Sequence, residues 1–143
     1  MIVIVAGSRS ILGGKLIIEV IERYVEQHPI ARLVCGCAPG PDRLACEWAW
    51  HNGVPIEFFP AWLWQEVWAL SVWAPDRGDT LAPCSYGRGR LNGGLRNAAM
   101  AVRADSALLI WDGKSNGTQD MAERMERAKK PFVLTRLGLE MKE

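Results

Sequence analysis

The N-terminal strand constrains this chain more than any other stretch. Ile2-Val-Ile-Val-Ala6 is an unbroken, mostly β-branched run with no polar alternation, the pattern of a strand buried on both faces of a parallel sheet. Parallel strands need crossover connections, usually helical. The next apolar residues oblige: Leu12, Leu16, Val20 and Tyr24, with Ile17, Ile21 and Val25, recur at helical spacing until His28-Pro29 ends the helix. The alternation continues down the chain. Ala31–Cys35 reads as a second strand, and Pro41 opens a helix that stops at Asn52-Gly53. Val54–Phe59 reads as a third strand, 106–111 as a fourth and Pro131–Thr135 as a fifth. Helices are expected over 95–103, opened by Gly93-Gly94, and over Thr118–Lys130, where Lys129-Lys130 suit the negative C-terminal end. This pattern predicts a single α/β domain over residues 1–143. Its fold is a Rossmann-like, doubly wound, mainly parallel five-stranded sheet with helices on both faces.

The stretch from Pro60 to Gly94 is less regular. Trp62 to Trp73 reads as an amphipathic helix, and turn-rich segments follow it. Residues 63–85 look like a tryptophan-rich insertion, because six of the seven tryptophans fall between Trp48 and Trp73. Trp48 is assigned to the core. Trp64, Trp68 and Trp73 exceed what a domain of this size buries readily, and tryptophan anchors interfaces, so a homo-oligomer is expected through them.

In doubly wound sheets, ligands bind beyond the carboxyl ends of the strands. Three polar loops fall at that edge: Gly7-Ser8-Arg9, the loop from Gly36 to Asp42 with Gly40, and Asp112-Gly113-Lys-Ser115-Asn-Gly117-Thr118. Each runs from a strand into a helix, whose N-terminus offers unbonded N–H groups and a positive dipole end to an anion. Arg96 opens a helix, where a cation is electrostatically misplaced, which points to an anion-binding role. Asn97 beside it is read as support. Arg88 and Arg90 are assigned to a solvated loop. The expected ligand is therefore an anion, most often a phosphate. No G-x-G-x-x-G or P-loop is present, so a standard dinucleotide fold or NTPase is disfavoured.

Composition narrows the partners. A net charge of +1 argues against a general nucleic-acid binder, which carries a basic excess. No stretch approaches a membrane span, and neither a metal nor a cofactor is expected. The four cysteines have no zinc-like spacing, Cys35 and Cys46 are assigned to the core, and the absence of a signal peptide points to the cytoplasm.

With these loops laid out, the chain resembles the SLOG superfamily, specifically its YspA-like branch of nucleotide-binding proteins. The residues that carry the likeness are Gly7-Ser-Arg9, Gly40-Pro-Asp-Arg-Leu-Ala45 and Phe59-Pro-Ala-Trp62. Arg96-Asn97, Met100, Ala104-Asp105, Trp111-Asp-Gly113 and Ser115-Asn-Gly-Thr118 complete the set. The resemblance implies a Rossmann-like fold with these loops around a nucleotide-like small molecule that carries a phosphate, and it is silent on the tryptophan-rich segment. The more distant Lonely-Guy phosphoribohydrolases are similar in an arginine four residues before a methionine, Arg96 and Met100 here. They also share a Gly-Thr pair followed three residues later by a catalytic glutamate. Met121 stands at that position, and a thioether is no general base. Asp120 is one residue away, rotated by about 100° on a helix.

Three readings of function remain at this stage. The first is a protein that binds a nucleotide or nucleotide-derived small molecule as a sensor or carrier. The second is a nucleotide N-glycosidase using a substitute carboxylate, Asp42, Asp112 or Asp120. The third is an oligomeric interaction module without catalysis.

Overall fold

The computed structural model describes residues 1–11, 13–59, 72–74 and 93–137. In chain order its elements are β1 (Ile2–Gly7), α1 (Gly14–Gln27), β2 (Arg32–Cys35), α2 (Pro41–His51) and β3 (Ile56–Phe58). They continue with β4 (Val72–Trp73), α3 (Gly93–Arg103), β5 (Ser106–Trp111), α4 (Asn116–Arg127) and β6 (Phe132–Arg136). The strands lie in the order β4-β3-β2-β1-β5-β6. All pairings are parallel except β3 with β4. The five expected strands thus form the expected parallel, Rossmann-like sheet, and a two-residue antiparallel strand is added at one edge.

Two apolar layers sandwich the sheet because successive strand residues face opposite ways. Val3, Val5, Leu33, Ile56, Leu108 and Ile110 pack with Ile17 and Ile21 of α1 and Ala45, Trp48 and Ala49 of α2. Ile4, Val34, Ala107 and Leu109 pack with Met100, Ala101 and Ala104 of α3 and Met121 and Met125 of α4. Helices α1 and α2 therefore cover one face, and α3 and α4 the other. Connections run outward from β1 in one direction, then from β5 in the other. The direction reverses between β1 and β5, where Gly7 lies in register with Ile110.

Trp48 is in the core as expected, and Cys35, Cys37 and Cys46 are buried and form no disulfide among the described residues. Trp73 differs from expectation. It belongs to a strand paired with Ile56, so the amphipathic helix does not extend to it. It is 5% exposed and packs in the α1–α2 layer, which removes it as an interface anchor. Trp64 and Trp68, like Arg88 and Arg90, lie outside the described residues. Among the described residues no helix is long and apolar enough to cross a membrane.

Two charged side chains tie α3 down. Lys130 does not serve the end of its own helix. Its Nζ donates to the carbonyls of Ala101, Val102 and Ala104 at 2.7–3.0 Å, capping the C-terminus of α3, where a cation meets the negative dipole end. Glu57, in the middle of β3, points into the α3 side and is 6% exposed. Its carboxylate accepts Arg103 Nε and Nη2 at 2.7 and 2.6 Å and Arg32 Nη1 at 2.9 Å. Burial pushes its pKa up, but the hydrogen bonds and charges of the two arginines outweigh this and hold it below its ordinary value of 4.5.

A depressed folded-state pKa contributes stability above the unfolded value and loses it as pH falls through the folded one. Glu57→Gln is therefore expected to cost about 2 kcal/mol near neutrality. The figure stays modest because the Arg32 and Arg103 side chains are 36% and 44% exposed. Denaturant unfolding at a series of pH values checks this: the gap between the two proteins closes as the pH falls below the ordinary glutamate value of 4.5. A pH-independent gap would show that shape rather than charge matters at Glu57.

Candidate functional site

A cleft of about 640 Å³ opens at the carboxyl ends of β1 and β5, the point where the winding direction reverses and where such sheets take ligands. Its walls come from the three expected loops and from α3, and Met100 and Met121, each 1% exposed, form an apolar floor.

Gly7 ends β1 against two neighbours. Ser8 N donates to Ile110 O at 2.9 Å, and Gly7 N donates to Asp42 Oδ1 at 3.2 Å. An added Cβ at Gly7 would sit 2.4 Å from Ile110 O and 2.6 Å from Pro41 Cγ. Glycine is what lets α2 close on the strand end.

Ser8, 2% exposed, then stitches β1 to β5. Its Oγ accepts Asp112 N at 3.0 Å and lies 2.8 Å from Ser115 Oγ. Ser115 Oγ in turn donates to Thr118 Oγ1 at 3.1 Å. The Asp112 N–H can only donate, so the chain of hydroxyls runs from Asp112 through Ser8 and Ser115 towards Thr118. This use of Ser115 has a consequence at α4. Ser115 occupies the N-cap, yet its side chain makes no capping bond, where serine ordinarily would. Among the described residues, the N–H groups of Asn116, Gly117 and Thr118 have no acceptor. They form the positive end of α4, at the cleft.

Asp112 proves to be an architect of that loop. Its Oδ2 accepts Ser10 Oγ at 2.6 Å and its Oδ1 accepts Lys114 N and Ser115 N, both at 2.8 Å, an Asx-turn. The Ser10 bond foremost, with the two backbone N–H groups and Ser8, lowers its pKa to about 2. Such a carboxylate is a poor proton acceptor at neutral pH. Asp42, 3% exposed, spends Oδ1 on Gly7 N and stands beside Gly36 together with Arg96.

Arg96 braces α3 against the sheet. Nη1 donates to Gly36 O at 2.6 Å and to Phe59 O at 3.4 Å, and Nε to Asn97 Oδ1 at 2.9 Å. Asn97, 8% exposed, passes the chain on: Nδ2 donates to Asp120 Oδ2 at 3.0 Å and to Gly117 O at 3.3 Å. Asn97 thus links Arg96 of α3 to Asp120 of α4, and Arg96 is held by two backbone carbonyls.

The structure brings Gly7, Ser8, Arg9, Asp42, Arg96, Asn97, Asp112, Ser115, Gly117 and Thr118 to one cleft. Two expected contacts stay off its walls. Gly40 takes φ +88° as the N-cap of α2, and Gly113 takes φ +87° under the guanidinium of Arg136. Both serve turns that an L side chain adopts poorly. Ser10, Ala38, Asn116 and the two methionines line the cleft without having been singled out as contacts. Ser10 and Asn116 adjoin the motif residues, which was the available signal. Asp120 reaches the cleft despite its helical offset from Met121.

Residues 1–64 match the family of YspA, cpYpsA-related SLOG proteins. Over that stretch the chain is similar to the YspA-related SLOG family. The matched SLOG segment supplies Gly7–Arg9 and Asp42 to the cleft, and the fold adds Arg96 and Ser115–Thr118 from beyond it. No curated protein and no solved structure matches the chain.

Proposed function

We propose that this protein binds a nucleotide or nucleotide-derived small molecule in the cleft between β1 and β5, as a sensor or carrier. The observation that carries the reading is the uncapped N-terminus of α4. Three N–H groups with no acceptor among the described residues lie at a cleft at the switch point, while the serine that would cap them is committed to Ser8 and Thr118. Unmade bonds of this kind favour an anion, and Arg9 and Arg96 line the same cleft. The apolar floor suits the less polar part of the ligand. Hydrolysis draws little support from the side chains: Met121 is an apolar floor residue, and Asp112 is tied up in its turn.

Thermal unfolding with a panel of nucleoside mono-, di- and triphosphates, cyclic nucleotides and ADP-ribose tests the proposal. A ligand at about 100 times its Kd is expected to raise Tm by about 5 °C or more. Silence across the panel overturns it.

A further inference from the structure

Asp120 brings to the cleft a carboxylate oxygen that no described residue uses. Its Oδ2 takes both Asn97 Nδ2 and Arg124 Nε, at 3.0 and 2.9 Å, and Oδ1 has no partner among the described residues. The side chain is 35% exposed and lines the cleft. Asn97 is fixed in its orientation, because Arg96 Nε can only donate and the carboxylate can only accept. The amide therefore locks Asp120 in place from the α3 side while Arg124 does so along α4. Burial raises the pKa of Asp120, but the bonds from Arg124 and Asn97 and the charge of Arg127 lower it more.

An ionised carboxylate with a free oxygen repels phosphate and seeks a donor. The anion site at Asn116–Thr118 lies about one helical turn, roughly 5 Å, up the same helix, the scale of one sugar ring. We propose that Asp120 is a specificity residue: its Oδ1 accepts hydrogen bonds from the vicinal hydroxyls of a ribose whose phosphate sits on the N-terminus of α4. The ligand is then a ribonucleotide rather than a deoxyribonucleotide. This rests on the nucleotide-binding reading above.

Calorimetric titration of the full chain separates the two. The probes are the four ribonucleoside 5′-monophosphates and their 2′-deoxy and 3′-deoxy counterparts, with inorganic phosphate as reference. At least one ribonucleotide is expected to bind about tenfold or more tightly than its deoxy counterparts. In Asp120→Asn that preference is expected to fall below about threefold, with deoxynucleotide binding retained. Equal binding of ribo and deoxy forms by the wild-type protein overturns the role of Asp120 and leaves nucleotide binding standing. A preference that survives in Asp120→Asn does the same. If no nucleotide binds at all, the nucleotide-binding reading falls, and this inference with it.

Discussion

Gly7→Ala is expected to destabilise the protein by about 3 kcal/mol or more and to abolish ligand binding in whatever folded protein remains. The new methyl would stand 2.4 Å from Ile110 O and 2.6 and 2.8 Å from two carbons of Pro41. The carbonyl belongs to β5, paired in register with β1, and the proline is the first residue of α2. Neither is the far end of a flexible side chain, so relief requires a strand or a helix to move. Either motion pulls Gly7 N away from Asp42 and Ser8 away from Ser115, the bonds that close the cleft. Urea unfolding measures the loss, and calorimetry on the folded fraction measures the binding. A variant within about 0.5 kcal/mol of wild type would show that α2 can retreat freely.

Gly36 repeats this logic on a softer neighbour. Its added Cβ would meet Arg96 Nη1 at 2.6 Å and Asp42 Oδ2 at 2.7 Å. These are side-chain atoms that can shift, at the expense of the bracing of α3.

The apolar runs made the parallel sheet legible in the sequence. A strand such as Ser106–Trp111 is buried on both faces, and its run has no polar interruption to confuse the period. Glu57 was not legible as a structural acid, because it is one charge inside an apolar run and its partners lie 25 and 46 residues away. Trp73 was misassigned for a related reason. Helical spacing over Trp62–Trp73 says nothing of a two-residue edge strand whose existence depends on β3.

The site loops were legible as a set because glycine and hydroxyl residues cluster at strand ends. Which atoms stay unpaired was not legible. Ser115 reads as an N-cap in any local analysis, and only the approach of Ser8, 107 residues away, diverts it. Likewise Gly40, Gly113 and Gly117 look alike in sequence. Two of them have positive φ and serve turns, whereas Gly117 has open space where a side chain would be.

That open space makes Gly117→Asp the substitution that separates folding from binding. Gly117 is the second residue of α4, and an added Cβ there meets nothing within 4 Å. Replacing glycine in a helix removes its entropic penalty, and a carboxylate in the first turn complements the dipole. Stability is therefore expected to be unchanged or raised by up to about 1 kcal/mol. The same carboxylate would compete for the N–H groups that have no acceptor among the described residues and would face the anion proposed for them. Two unit charges about 4 Å apart repel by about 4 kcal/mol at an effective dielectric of 20. Even with solvent screening taking a third of that, nucleotide affinity falls by about 100-fold. Urea unfolding and calorimetry on the same preparation check both halves. A destabilised variant would mean that Gly117 serves the fold. A stable variant that still binds nucleotide with wild-type affinity would place the phosphate away from α4, and the cleft would then have to grip its ligand through Arg9 and Arg96 instead.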